Sequence, residues 1–192
     1  MQIFAQKTVT LGKFSKKFDT KYHYLDVPSW NTFGKKDTYI PLFIETYYEV
    51  TKTEVIEYAL WYSDSKNVYN FKNIDKMAYT EKMLSAVFVT KYPIETLDTD
   101  LFLAQKDENN DWVSLYKDDK GAAKIMKKFK KPYHKIPFKL KTGKKYTYTQ
   151  YNPTGEPEVE SRDTDEFTKY FNFNDESEAS IFVGNLVKAT SK

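Results

Sequence analysis

The chain has 192 residues, is 40% hydrophobic and 17% aromatic, carries a formal net charge of +3 and contains no cysteine. That length fits one domain able to bury its own core, and the absence of cysteine excludes thiol nucleophiles, thiolate metal sites and redox pairs. A mean hydropathy of −0.70 with no apolar run near ~18 residues excludes a helical membrane span.

Residues 1–11 alternate Ile3, Ala5, Lys7, Val9 and Leu11 with Phe4, Gln6, Thr8 and Thr10, the period of a strand. Met1 to Phe4 show no basic region or long apolar stretch, so the chain reads as cytoplasmic. Residues 21–27 are a second extended candidate, closed by Pro28 and Asn31. His23 in that run and His134 are the only histidines, and His23 reads as structural. Residues 39–50 are the clearest strand, with Ile40, Leu42, Ile44, Thr46, Tyr48 and Val50 on one face and Glu45 and Glu49 on the other. Pro41 near its start points to an edge position. Residues 55–62 are apolar on both faces and read as a central strand hairpin-paired to the one before.

Asp75 can cap a helix carrying Met77, Met83, Leu84 and Val87, but residues 83–92 fit a strand equally well, and Pro93 ends either. Residues 101–105 and 112–116 flank a polar tract and read as a hairpin. Within the tract Asp107, Asn109 and Asp111 mimic a calcium loop, but Trp112 stands where that loop needs glycine, so no metal site is assigned. Residues 122–131 read as a helix with Ile125, Met126 and Phe129 on one side. Residues 135–141 and 144–151 around Thr142-Gly143 read as another hairpin. Phe167 to Phe173 is dense in aromatics, and residues 180–187 are a last apolar element. These elements predict an α+β to mostly β fold: antiparallel sheets or a partly open barrel, with two or three short helices. Residues 1–155 form the core domain, and an acidic segment, 156–192, packs on it.

Charge is segregated along the chain. Residues 1–119 carry a net −3, residues 120–155 carry eleven lysines and no acid, and residues 156–192 carry a net −5. Lysines interleaved with tyrosines suit a single-stranded nucleic-acid groove, where cations follow phosphates and rings stack bases. The expected contacts are Lys127, Lys128, Lys130, Lys131, Lys139, Lys141, Lys144 and Lys145 for phosphates, and Tyr133, Tyr146 and Tyr148 for stacking. With 29 lysines and one arginine, Arg162, the chain is poorly equipped for base-specific readout in the major groove.

No catalytic constellation emerges. Glu45 and Glu49 share a strand face, as glycosidase carboxylates do, but so do charges on any exposed face. Ile181 to Leu186 matches the first motif of RNA-recognition domains, yet the second motif and the sheet that should follow are missing. The sequence therefore predicts a non-enzymatic binding protein for single-stranded DNA or RNA, without cofactor or sequence preference. The alternative is a protein-interaction module, a phage or mobile-element structural protein or an inhibitor of a host protein, meeting an acidic partner or another copy of itself.

Overall fold

The computed structural model describes residues 6–19, 27–32, 38–63, 69–70, 83–98, 104–106, 108–109, 112–114, 134–165 and 168–191. The strands are β1 (Gln6–Leu11), β2 (Phe14–Asp19), β3 (Val27–Thr32), β4 (Thr38–Val50), β5 (Glu54–Ser63), β6 (Tyr69–Asn70) and β7 (Met83–Pro93). They continue with β8 (Ala104–Lys106), β9 (Trp112–Ser114), β10 (His134–Lys139), β11 (Lys145–Tyr151), β12 (Glu158–Asp163) and β13 (Thr168–Phe173), followed by the helix α1 (Glu176–Thr190). The fold is mostly β and antiparallel, with no closed barrel among the described residues. Only one α-helix is present among the described residues, where two or three were expected. The helix expected at 122–131 and the one capped by Asp75 lie outside the described residues up to Lys82, and residues 83–93 are strand. No described helix is long and apolar enough to cross a membrane.

The main sheet has the order β12-β11-β7-β5-β4-β3, with β6 also on β4. Its centre is the β4–β5 hairpin, from Leu42 opposite Ser63 to Val50 opposite Val55. Thr51 closes the turn: its hydroxyl accepts the amides of Thr53 (3.2 Å) and Glu54 (3.0 Å), the local alternative to ladder bonding that favours threonine in turns. Pro41 falls between the part of β4 paired to β6 and the part paired to β5. Among the described residues only β3 pairs with it there, and a residue without an amide proton is tolerated. β5 is buried on both faces, as a central strand requires.

A separate core lies on each face of the sheet. On one, the β1–β2 hairpin sets Val9, Leu11, Phe14 and Phe18 against Tyr47, Ile56, Tyr58, Leu60, Val87 and Val89. Those four hairpin side chains contribute roughly 6–12 kcal/mol of transfer free energy before entropy is charged. On the other face, β10 and β13 pair with each other and the helix packs beside them. Ala179, Phe182, Val183, Leu186 and Val187 form the helix's buried stripe, at the spacing of one helical face. Asp175 caps the helix by accepting the Glu178 amide at 2.9 Å. The hexamer from Ile181 to Leu186 is thus mid-helix, whereas the RNA-recognition motif it matches is a strand.

One connection differs from expectation. β10 and β11 flank a tight turn but do not pair. β10 pairs with β13 and its continuation Leu140 bridges Leu97, while β11 pairs with β7 and β12. Ile136, Phe138 and Leu140, all at most 1% exposed, are drawn into the second core. The chain therefore changes layer at residues 141–144 instead of folding back. Segment 156–192 likewise supplies β12 to the main sheet, and β13 and α1 to the second layer.

Candidate nucleic-acid interface

On the helix-bearing face, the end of the main sheet away from the second core is built from register. Tyr58 opposes Val89 and Tyr148 opposes Thr90, so even-numbered β7 and β11 residues share a face with odd-numbered β5 residues. Trp61 of β5, Phe88 of β7, Tyr148 of β11 and Arg162 of β12 then succeed one another, one planar group per strand. The Trp61 and Phe88 ring centroids are 4.6 Å apart, those of Phe88 and Tyr148 are 5.6 Å apart at 23°, and the Arg162 guanidinium lies 4.5 Å from the Tyr148 centroid. These groups border an open groove of about 250 Å³, which Glu57, Thr90, Tyr92, Tyr146 and Lys169 complete. Ala59, beside Trp61, keeps the floor low.

The charges in this groove come in pairs. Glu57 is 9% exposed and bound by Lys169 of β13, whose ammonium sits 5.5 Å from the Tyr92 centroid. Arg162 donates twice to Glu160, at 2.7 and 2.9 Å. Burial pushes the Tyr148 hydroxyl above the ordinary tyrosine value, Arg162 opposes this, and Glu160 and Glu158 add to it. Burial, reinforced by Glu57, drives Tyr92 far above the tyrosine range. The groove thus presents phenol rings and paired ions.

Of the residues the sequence singles out, Lys127, Lys128, Lys130, Lys131 and Tyr133 lie outside the described residues. Lys141 and Lys144 are exposed on either side of the layer-changing turn, where Gly143 takes a φ of +75°. Buried Thr164 fixes that turn. Its hydroxyl accepts the Lys144 amide (2.9 Å) and sits against the Lys141 carbonyl, and its own amide donates to the Lys144 carbonyl (2.8 Å). Lys145 lies 3.9 Å from Asp163. Lys139 is half-buried on β10, opposite Thr168. Tyr146 and Tyr148 share the groove face, Tyr146 with its ring 5.2 Å from Tyr92. The structure thus brings Tyr146 and Tyr148 together and puts Lys141 and Lys144 at the same end of β11, but it also lays acidic β12 alongside.

Sequence reasoning missed Trp61, Phe88, Glu57 and Lys169. The parity of β5 was readable, but partners in strands tens of residues apart were not. Glu45 and Glu49, weighed as paired carboxylates, hold the hairpin instead. Lys7 donates to Glu45 at 2.6 Å, and Tyr47 and Tyr62 donate at 2.7 and 2.8 Å. Lys16 donates to Glu49 at 2.6 Å, joined by Tyr58 at 3.1 Å. Partial burial raises the Glu45 carboxyl, but the bonds from Lys7, Tyr47 and Tyr62 outweigh it and hold the group below the usual carboxylate range. Among the described residues no group of three or more His, Asp or Glu could hold a metal ion. No family model, curated protein or solved structure matches the chain.

Proposed function

We propose that this chain is a non-enzymatic binding protein that holds single-stranded nucleic acid without sequence preference, in a cytoplasmic setting. The observation that carries the reading is the run Trp61, Phe88, Tyr148 and Arg162 across four adjacent strands beside an open groove. Every base has a π face, so stacking on such a row is worth ~1–3 kcal/mol per base whatever the sequence. Lys141 and Lys144, exposed near Tyr146, suit the phosphates that follow. Because the groove charges are compensated, stacking carries most of the affinity.

The test is fluorescence anisotropy of labelled single-stranded DNA and RNA at two salt concentrations. At about −0.7 in log K per log salt for each phosphate contact, Lys139, Lys141, Lys144 and Lys145 together limit the slope from the described lysines to about −3. Trp61→Ala and Tyr148→Ala should each weaken binding by roughly 5- to 150-fold. Absence of binding at tens of micromolar in low salt, or binding indifferent to both substitutions, would overturn the reading. A protein-interaction role is the second reading, favoured by β12, in which every residue is exposed.

A further inference from the structure

We propose that two copies of the chain pair antiparallel through β12, about a two-fold axis at Ser161. β12 ends the main sheet and pairs only with β11 among the described residues. All six of its residues are exposed, Val159 at 67%. A strand exposed on both faces gains little from its own fold, and its open ladder groups are a template for another strand.

Charge decides which strand fits. Glu158, Glu160 and Arg162 lie on the groove face, and Val159, Ser161 and Asp163 on the other. A two-fold axis normal to the sheet keeps like faces together, so the axis must pass through a residue. Centred on Val159, it sets Glu158 against Glu160 of the second copy. Centred on Glu160 or Arg162, it sets that residue against itself. Centred on Ser161, it sets Glu160 against Arg162 twice, Val159 against Asp163 twice, and Glu158 against Thr164. Only this register, among those centred on Val159 to Arg162, joins opposite charges and opposes no like ones. Each Glu160 already accepts from its own Arg162, so the pairing closes an alternating ring of two carboxylates and two guanidiniums. It also leaves both grooves on one face of a continuous sheet, with the two Tyr148 strands three spacings, about 14 Å, apart.

The absence of cysteine makes the register directly testable. Residues opposed across the axis have Cα atoms ~4.5–5.5 Å apart, within disulfide range. Under mild oxidation Ser161→Cys should give a covalent dimer. Asp163→Cys alone should not, because its two copies lie about 14 Å apart. An equimolar mixture of Val159→Cys and Asp163→Cys chains should cross-link again. In sedimentation equilibrium the native chain should show a monomer–dimer equilibrium. Glu160→Arg and Arg162→Glu should each weaken it at least tenfold, and the double exchange E160R/R162E should restore it. A native chain that stays monomeric at several hundred micromolar would overturn the proposal. So would cross-linking of S161C no faster than of D163C. Neither readout uses nucleic acid, so the groove reading is tested separately.

Discussion

The Glu57–Lys169 pair ties the second layer to the central strand, and removing the cation should cost far more than removing both charges. Glu57 keeps 11% of its side-chain surface and Lys169 keeps 23%. In Lys169→Met the carboxylate loses its ammonium and keeps the Tyr48 hydroxyl, which faces it from β4. Leaving one charge of a buried pair uncompensated costs 3–5 kcal/mol; residual solvent contact puts this case at about 3 kcal/mol. In Glu57→Gln the longer, wetter lysine can extend its head to water, so the loss should be about 1–2 kcal/mol. The double variant Glu57→Leu/Lys169→Met should fall within about 1 kcal/mol of the native chain. Urea unfolding reads this directly. With m near 2 kcal/mol/M, K169M should lower the midpoint by about 1.5 M at unchanged m. If the double variant loses the sum of the losses of Glu57→Leu alone and Lys169→Met alone, the pair is uncoupled and the reasoning fails.

Phe171→Ala should destabilise by about 3–5 kcal/mol in the same assay, because its ring is 0% exposed and stacks on Phe138 at 4.3 Å. Gly12→Ala should cost about 2–3 kcal/mol, since Gly12 has a φ of +54° and a Cβ there would overlap the Asn152 carbonyl oxygen. Gly143→Ala, at +75° with open space around it, should cost only about 1 kcal/mol. The Glu45 clasp should fail in acid. Its folded pKa is depressed, so its contribution is complete above the unfolded value and is lost as pH falls through the folded one. Amide protection in β1 and β2, relative to intrinsic exchange rates, should fall once the pH drops below the ordinary glutamate value, and Glu45→Gln should remove most of that acid dependence.

The sequence was most legible where local pattern and tertiary need agree. Residues 39–50 and 55–62 announce a hairpin, because one alternates and the other is apolar throughout; both properties follow from being next to, or at, the middle of a sheet. Residues 83–93 were ambiguous for the same reason: Ala86, Val87, Val89, Thr90 and Tyr92 are buried on both faces, which blurs period 2 into a continuous run. The turn at Thr142-Gly143 misled because its local chemistry is that of a hairpin. What redirects it is distant: Thr164 grips the turn from 20 residues away, and the second core claims Ile136, Phe138 and Leu140. The groove was illegible because its planar groups come from four strands, spanning Trp61 to Arg162, and only the register aligns them.

The described end of the acid-free block follows the same logic. Residues 145–151 belong to the acid-free block and residues 158–163 to the acidic third, yet the two stretches are neighbouring strands. Antiparallel pairing sets Lys145 against Asp163 and Tyr148 against Glu160, so signs far apart along the chain alternate across a few ångströms of sheet. Lys145, the lysine of residues 145–151, therefore has a carboxylate 3.9 Å away, which weakens its field. Lys141, Lys144 and Lys145 stay open to solvent, the first two at the turn beyond the end of β12 and Lys145 opposite Asp163. Neutralising β12 variants such as Glu158→Gln should therefore tighten nucleic-acid binding and steepen its salt dependence. If they change neither, the strand of acids does not face the bound chain, and the phosphates do not run along β11.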